Sequence, residues 1–258
     1  MTKEELRNFW TEYGPKYPKW QLIFAAVLFL SISAFVLSQE LKKLPNGKLQ
    51  LFACNVGEGD AIYLKSPKGL DILVDGGPDE SVLRCLSNNM PFWDRKIELM
   101  FLTHPHADHM TGLNLVLKRY QVDRYLNCPA CQKLYLNDRI LTGDGVEINV
   151  LWPDRTVQYN DPNLTSLVLK INDNLLMADA DSHVQSQILD LNRWLGTVEV
   201  IKVPHHGSRT ALLPSFLEIV RPTKAIISVG KNDFGHPDPE TVKLLKEFGV
   251  KIERTDRN

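Results

Sequence analysis

The chain has 258 residues, of which 30 are basic and 31 acidic, so its formal net charge at neutral pH is −1. Hydrophobic residues make up 43% and charged residues 24% of the chain. These values are ordinary for a globular protein and exclude wholesale disorder and a multi-span channel. The balanced charge also excludes a bulk positive field, so any binding of nucleic acid has to be local.

An apolar run close to the first residue predicts a membrane-spanning helix. No formal charge occurs from Trp20 to Gln39, and about twenty helical residues rise about 30 Å, the thickness of the hydrocarbon core of a bilayer. We interpret the run as an uncleaved transmembrane anchor. The alternatives are a cleaved signal peptide, with Val36 and Ser38 before the cleavage site, and a buried core helix.

Basic residues on either side of this run set its predicted orientation. Four precede it and three follow it. The positive-inside rule therefore favours a cytoplasmic N-terminus and an extracytoplasmic C-terminal domain in the cell membrane. The predicted division is a short N-terminal segment over 1–19, the anchor over 20–39, a linker over 40–47 and one domain over 48–258.

Apolar runs and turn signals predict strands early in this domain and strands alternating with helices later. This order is typical of a layered α/β domain with mixed sheets. The predicted strands are Leu49–Val56, Ala61–Lys65, Asp71–Val74, Leu99–Thr103, Val122–Leu126, Val146–Leu151, Ser166–Ile171, Leu175–Met177, Glu199–Val203, Ala225–Val229 and Val250–Glu253. The predicted helices are Ser81–Asn88, Leu113–Arg119, His183–Trp194, Pro214–Val220 and Pro239–Phe248.

A histidine cluster after the fourth predicted strand is the strongest chemical signal. His104 and His106 are two residues apart, so on an extended segment they project to one side. Asp108 and His109 can add ligands once the chain turns into the following helix. Imidazole and carboxylate ligands suit zinc, manganese or iron, so the cluster predicts a transition-metal site.

Two further ligand candidates follow predicted strands downstream. Asp179 comes directly after an apolar run, where a carboxylate could bridge two metal ions or belong to the N-terminal cap of the next helix. His205 and His206 come directly after another strand. Adjacent side chains usually point to different sides, so one of the two histidines can ligate a metal while the other contacts substrate.

Together these segments resemble the metallo-β-lactamase superfamily, whose signature is His-x-His-x-Asp-His, then an Asp after a strand, then a late His. The resemblance implies a four-layer αββα sandwich, here preceded by one transmembrane helix, and two divalent transition-metal ions, zinc or manganese. Asp75, at the end of an early strand, matches the Asp that in this family supports a ligand histidine. The implied metal ligands are His104, His106, Asp108, His109, Asp179, His205 and His206.

Further segments resemble the hydrolase domain of ComEC-type DNA-uptake, or competence, proteins. These segments are Asn55-Val56-Gly57-Glu58-Gly59-Asp60-Ala61, Lys202-Val203-Pro204-His205-His206-Gly207-Ser208 and Gly235-His236-Pro237. Those proteins carry many membrane helices that form a translocation channel, whereas one is predicted here. A separate competence channel protein is therefore a candidate partner. Those proteins also often have Asp in place of His106 and Gly in place of Ala178.

The resemblance implies a metal-bound hydroxide that hydrolyses a phosphodiester of DNA, for example single-stranded DNA. Asp108 and His236 are the implied catalytic residues. The implied substrate contacts are Asn163, Ser166, Ser208 and Asn232. Basic side chains that could contact a phosphate backbone are Lys202, Arg209 and Lys231. The alternatives are a metallohydrolase of a small phosphoester or ester and a non-enzymatic binding domain that kept the fold, since the fold alone does not decide.

Four cysteines in a chain of this length do not form a disulfide scaffold. Cys128 and Cys131 have the spacing of a redox motif, and no second such pair exists for a four-thiolate zinc site. The pair would form a local disulfide in an extracytoplasmic domain and two thiols in a reducing compartment. Cys54 and Cys85 are predicted to be core residues.

Overall fold

The computed structural model describes residues 1–13, 18–156, 159–191 and 195–257, and it divides the chain into two units, Met1–Leu44 and Pro45–Asn258. The first unit contains helix α1 (Lys3–Tyr13) and helix α2 (Lys19–Leu41). The apolar part of α2, Trp20–Leu41, is long enough to cross a membrane, and its side chains are unburied in this unit. The segment over 1–19 thus contains a helix that the sequence did not predict, and residues 14–17 of it lie outside the described residues.

Two sheets and five α-helices build the second unit within the described residues. The first sheet has the order β1-β2-β3-β4-β5, and the second has the order β12-β11-β10-β9-β8-β7-β6. The strands of the first sheet are β1 (Gln50–Ala53), β2 (Ile62–Lys65), β3 (Asp71–Val74), β4 (Lys96–Phe101) and β5 (Gln121–Leu126). Those of the second are β6 (Arg139–Leu141), β7 (Glu147–Trp152), β8 (Val168–Ile171), β9 (Asn174–Leu176), β10 (Val200–Lys202), β11 (Lys224–Ile227) and β12 (Lys251–Arg254). The helices are α3 (Ser81–Asn89), α4 (Ala107–Arg119), α5 (Ser182–Leu191), α6 (Pro214–Val220) and α7 (Pro239–Glu247).

Three buried clusters show the layer order. Apolar side chains of the two sheets, such as Phe101 and Leu169, pack against each other in one cluster. The outer face of the first sheet packs against α3 and α4, as Leu86 and Val116 show. The outer face of the second sheet packs against α5, α6 and α7 through residues such as Phe216. The second unit is therefore a four-layer αββα sandwich, the fold predicted from the sequence.

Parallel pairing brings the carboxyl ends of several strands to one edge. β4 lies parallel to β3, with Phe101 opposite Val74. β10 lies parallel to β9 and to β11, with Lys202 opposite both Leu176 and Ile226. Loops that follow these strands consequently begin side by side, at the position where open parallel sheets place ligand sites.

Two elements of the second unit differ most from the sequence prediction. Helix α4 begins at Ala107, whereas the apolar periodicity predicted a start at Leu113. The chain thus becomes helical inside the histidine cluster, where polar residues hide the helical pattern. Strand β6 was missed because it has only three residues, two of them exposed. Helix α5 is described as far as Leu191, and residues 192–194 of the predicted helix lie outside the described residues.

All four cysteines form disulfides. Cys54 is buried and Cys85 packs against the same apolar cluster, as predicted for core residues, but the sequence did not predict that the two are bonded to each other. Cys54 is bonded to Cys85, which joins the end of β1 to α3, and Cys128 is bonded to Cys131 within one loop. The first pair also belongs to the apolar cluster between the first sheet and its helices. Sequence spacing gave no signal for it because 31 residues separate the two cysteines.

The longer loop closed by Cys54 and Cys85 predicts unequal effects of the two disulfides on stability. Replacing both residues with Ser should lower the free energy of unfolding by about 3 kcal/mol, because the entropy that a disulfide removes from the unfolded chain grows with loop length. Replacing Cys128 and Cys131, which are 3 residues apart, should cost clearly less. Urea unfolding of the detergent-solubilised chain, followed by near-UV circular dichroism, measures both. Equal losses would contradict this account.

Candidate metal centre

The loops at the shared edge of the two sheets carry the predicted ligands. His104 comes three residues after the end of β4, at the turn into α4, and Asp179 comes three residues after the end of β9. His206 follows β10, and His236 lies in the loop after β11. Asp75 follows β3 directly. Residues that are far apart in the sequence thus meet because parallel strands end together.

Four of the predicted ligands meet in one group. The ligand atoms of Asp108, His109, Asp179 and His206 all lie within 4.8 Å of one another. Asp179 Oδ1 is 3.4 Å from His109 Nε2 and 3.9 Å from His206 Nε2. Asp108 Oδ2 is 3.3 Å from His206 Nε2. Two carboxylates and two imidazoles at this spacing form a donor set that suits a transition-metal ion.

The second oxygen of Asp179 faces a second group. Asp179 Oδ2 is 3.6 Å from His104 Nε2, which in turn is 3.1 Å from His106 Nδ1. The ligand atoms of these three side chains also lie within 4.8 Å of one another. Asp179 therefore offers one oxygen to each group, which is the geometry of a carboxylate that bridges two ions in a two-metal site.

Unpaired buried atoms show that a cation fits between these side chains. His109 Nε2 and Asp179 Oδ1 are buried and have no hydrogen-bond partner within the part of the chain that the structure describes. A buried polar atom without a partner is costly, because it has lost its water and gained nothing in return. A divalent cation between the two atoms would satisfy both of them.

Hydrogen bonds at Nδ1 turn three of the imidazoles toward this centre. His109 Nδ1 donates to Asp75 Oδ2 at 2.7 Å, and His206 Nδ1 donates to the carbonyl oxygen of Ser228 at 3.0 Å. His104 Nδ1 lies 3.2 Å from Ser166 Oγ. In each ring Nε2 is the nitrogen that faces the ligand groups, and a partner at the other nitrogen is the usual way to fix the tautomer and orientation of a metal-binding histidine.

Asp75 accepts two hydrogen bonds from Thr103, which lies between β4 and the histidine cluster. Its Oδ1 accepts from the backbone N of Thr103 at 2.8 Å, and its Oδ2 accepts from Thr103 Oγ1 at 2.6 Å. The following loop lies directly on α4, because a Cβ atom added to Gly112 would lie 1.9 Å from the carbonyl oxygen of Gly76. Only glycine allows this approach, which keeps Asp75 next to His109.

The loops that carry Asp179 and His206 contain residues in an uncommon backbone conformation. Ala178, His205 and His206 all have positive φ angles, of 48°, 46° and 53°. Such angles are uncommon outside glycine and are maintained only when surrounding contacts fix them. The carbonyl oxygen of Ala178 accepts from the backbone N of His205 at 2.9 Å and from Lys202 Nζ at 3.1 Å. These bonds connect the loop that carries Asp179 to the loop that carries His206.

Burial and neighbouring charges shift the pKa values of the centre in opposite directions. Burial lowers the pKa of His109, but the Asp179 and Asp75 carboxylates outweigh it and raise this pKa well above its ordinary value. Burial raises the pKa of Asp179, but the charge of the neighbouring His109 outweighs it and holds this pKa well below its usual range. The cluster thus attracts positive charge, and a metal ion would compete there with a proton.

Two further ligand candidates, His104 and Asp108, both have lowered pKa values. Burial, together with the positive charge of His109, lowers the pKa of His104 to about 2, so this ring is neutral and can ligate. Burial raises the pKa of Asp108, but the hydrogen bond from His206 and the charge of His109 outweigh it and lower this pKa to about 2. Asp108 is therefore a carboxylate at any ordinary pH.

Two predicted ligand or catalytic histidines lie outside both groups. His205 contributes to none of the ligand clusters in the described residues, and its ring centroid lies 5.7 Å from that of His236. His236 Nδ1 lies 3.0 Å from Glu58 Oε1, and its ring centroid is 6.3 Å from that of His206. Glu58 was not singled out from the sequence, although it belongs to the motif that opens the domain.

The four predicted substrate contacts have different surroundings. Ser166 is fully buried against His104 and so supports a ligand. Asn232 uses its side-chain amide within its own loop, donating to the carbonyl oxygens of Gly230 and His236. Asn163 Oδ1 and Ser208 Oγ are buried atoms without a hydrogen-bond partner among the described residues.

The sequence analysis did not predict the buried ion pair between Lys202 and Asp60, which lies below the centre. Lys202 was expected to be available to a phosphate backbone, but it is only 1% exposed and forms an ion pair with Asp60. Asp60 lies 2% exposed in the loop between β1 and β2, and its Oδ1 is 3.6 Å from His206 Nδ1. The pair connects the two sheets under the ligand loops. The motif that contains Asp60 was its only sequence signal.

The comparisons with known proteins agree with this fold. The family model described as the metallo-beta-lactamase superfamily matches residues 55–127, which contain Asp75 and the histidine cluster. The chain is similar to this superfamily over these residues. Among solved structures, the metallo-beta-lactamase fold protein YhfI from Bacillus subtilis has a TM-score of 0.53 at 12% identity and covers 80% of this chain and 95% of that chain. At this identity the likeness shows the fold.

Curated relatives of this chain include competence proteins of the ComEC type. ComE operon protein 3 of Bacillus subtilis is 25% identical over 79% of this chain and 31% of its own length. Recombination protein 2 of Haemophilus influenzae is 28% identical over 83% of this chain and 28% of its own length. The chain therefore spans about a third of the length of these relatives.

The bridging position of Asp179 predicts how metal content responds to substitution. Asp179→Ala should reduce the content of zinc- or manganese-loaded full-length protein by at least one ion, because the carboxylate faces both ligand groups. Asp181→Ala is the matched control, since Asp181 lies two residues away and bonds to the backbone N of His183. Atomic emission after gel filtration measures the content. A wild-type protein that stays metal-free after loading would contradict the site.

Proposed function

We propose that this metallo-β-lactamase domain is a metal-dependent phosphodiesterase that cleaves DNA at a membrane surface. The observation that carries the proposal is the position of His236 and Glu58 beside a ligand cluster in which Asp179 faces two groups. A two-metal cluster suits the charge of a phosphodiester, and a neighbouring imidazole suits its leaving oxygen. The competence relatives support DNA as the substrate.

The two ligand groups would hold two divalent ions, zinc or manganese. His104, His106 and Asp179 would hold one, and Asp108, His109, His206 and Asp179 would hold the other. When bound, the ions supply Lewis acidity and a water of lowered pKa. The first group has three protein ligands, which is the number at which catalytic sites keep a coordination position open.

Asp108 and His236 are the side chains of this site that are suited to act on substrate. The Asp108 side chain is 35% exposed, whereas those of His109, Asp179 and His206 are at most 3% exposed. Its carboxylate can therefore meet both the cluster and an entering phosphodiester and orient the attacking water. His236 donates a hydrogen bond from Nδ1 to Glu58. In the imidazolium form its Nε2–H would donate a second hydrogen bond to an oxygen of the phosphodiester.

The surroundings of the site favour local rather than general attraction of DNA. Arg209 and Lys231 are exposed near the ligand loops and are the remaining basic candidates for contact with a phosphate backbone. Because the chain as a whole has a net charge of −1, we expect a weakly held substrate. Delivery of a single strand by a separate competence channel protein would suit such a site.

The location we propose is the outer side of the cell membrane. Helix α2 supplies a single anchor, and the basic residues around it favour a cytoplasmic N-terminus. Both disulfides of the domain support an oxidising compartment, since cytosolic proteins rarely keep such bonds. The competence relatives are consistent with association with a membrane.

Two substitutions should separate metal binding from chemistry. Asp108→Ala should abolish nearly all cleavage of single-stranded DNA, because it removes a metal ligand and the group that orients water. His236→Ala should reduce turnover by about 10²–10⁴-fold with metal content unchanged. His183→Ala is the matched control, because His183 is exposed and contacts only the ring of Tyr159 among the described aromatic residues.

The measurements are cleavage rates on a fluorescent oligonucleotide and on a small phosphodiester, made with metal-loaded full-length protein in detergent. Cleavage of the small compound without any cleavage of DNA would favour the alternative hydrolase. Asp108→Ala activity equal to that of the wild type would show that the measured activity belongs to a contaminant.

The orientation of the anchor has its own test. The chain should remain with membranes after carbonate washing, because α2 is long and apolar enough to span a bilayer. Protease added outside intact spheroplasts should digest the domain, whereas a cytoplasmic marker protein should survive. Release of the chain by carbonate would contradict the anchor, and full protection of the domain in intact spheroplasts would reverse the orientation.

A further inference from the structure

The loop after β11 is built around the side-chain amide of Asn232. Asn232 Oδ1 accepts from the backbone N of Phe234 at 3.1 Å and from that of His236 at 3.0 Å. Its Nδ2 donates to the carbonyl oxygens of Gly230 and His236, each at 2.9 Å. These four bonds fix the backbone of the loop, so its shape does not depend on burying an apolar side chain.

Glu58, in the turn between β1 and β2, holds this loop at two points. One oxygen of Glu58 is 3.0 Å from His236 Nδ1, and the other accepts from the backbone N of Gly230 at 3.3 Å. The loop also lies directly on the β1–β2 turn, because a Cβ atom added to Gly230 would lie 2.5 Å from the Cα atom of Gly57. The loop therefore has a defined position relative to His206 and the rest of the centre.

This fixed loop presents an exposed aromatic ring. Phe234 is 78% exposed, the highest value for a large apolar side chain among the described residues of the second unit. Its ring is inclined by only 23° to that of His236, with 5.6 Å between the centroids. A single exposed apolar residue is ordinary, but this ring lies in a near-parallel stack on the imidazole that we place against the substrate.

We propose that Phe234 is a stacking platform for a nucleobase next to the phosphodiester that is cleaved. The proposal rests on the proposed phosphodiesterase function and specifies its substrate as an unpaired strand, since a base must leave a duplex stack to lie on the ring. A base on the outer face of Phe234 would continue the stack that His236 begins. Its neighbouring phosphate would then lie toward His236 Nε2 and the ligand cluster.

The charges of the loop favour stacking over attraction to phosphate. Lys231 and Asp233 are both exposed on it and offset each other. A platform of this kind accepts any base, because every base has a flat π face. We therefore expect a preference for strands that carry bases over strands that lack them, with little dependence of that preference on salt or on base identity.

Binding to two oligonucleotides tests the proposal. The probes are a fluorescent single strand of twelve thymidines and the same strand with abasic sites in place of the bases, and the protein is the metal-loaded full-length chain in detergent. Fluorescence anisotropy should show at least about fivefold tighter binding of the strand with bases, and Phe234→Ala should remove that difference. Phe234→Tyr should retain it because the ring is kept.

Phe92→Ala is the matched control. Phe92 is 61% exposed and contacts Trp93, but it lies before β4 starts, at the opposite end of that strand from His104. This variant should keep the preference for bases. The proposal is overturned if the wild type binds both strands equally, or if Phe234→Ala keeps the full preference.

Cleavage of the same two strands separates this proposal from the phosphodiesterase itself. Where both proposals hold, Phe234→Ala slows cleavage of the strand with bases at least about fivefold and leaves cleavage of the abasic strand unchanged. A base preference that Phe234→Ala removes, in a wild type that cleaves neither strand, would overturn the phosphodiesterase and support the platform. Cleavage of both strands at one rate, with equal binding, would overturn the platform and support the phosphodiesterase.

Discussion

The carboxylate of Asp179 is the group on which the rest of the centre depends. It is buried, with one oxygen toward His109 and the other toward His104. A buried carboxylate is stable only where positive charge or hydrogen-bond donors replace the lost water. Imidazoles from the first sheet meet an aspartate from the second, so the centre forms only when both sheets pack correctly. Folding of the sandwich and assembly of the metal site are in this sense one event.

Support for this carboxylate comes from contacts outside the ligand groups. The Asp60–Lys202 ion pair joins the two sheets, and Lys202 also bonds the carbonyl oxygen of Ala178, directly before Asp179. Removing one partner of a buried ion pair typically costs about 3–5 kcal/mol, because the other charge is left uncompensated. Asp75 likewise fixes the position of His109, because it accepts the hydrogen bond from His109 Nδ1. The centre is thus positioned by polar contacts on both sides of the sandwich, and the loop with Phe234 adds the surface that substrate would meet first.

The sequence predicted local features well and long-range contacts poorly. The bounds of β3 and α6 agree with the prediction because apolar runs and turn residues mark them clearly. The histidine cluster predicted a metal site because its candidate ligands lie close together in the sequence. By contrast, Glu58 and His236 are 178 residues apart, and nothing in either segment alone shows that they meet. The positive φ angles of His205 and His206 are likewise imposed by the assembled fold, which is why the sequence left open which of the two would face the ligand group.

The most direct test of the central claim is electron paramagnetic resonance of the full-length chain loaded with Mn(II). If Asp179 bridges two ions, the spectrum should show the signals of an exchange-coupled pair, and these should give way to isolated Mn(II) signals in Asp179→Ala. Asp181→Ala should leave the coupled signals unchanged. A wild-type spectrum with only isolated Mn(II) at full loading, or with Mn(II) that buffer exchange removes, would contradict a two-metal centre organised around Asp179.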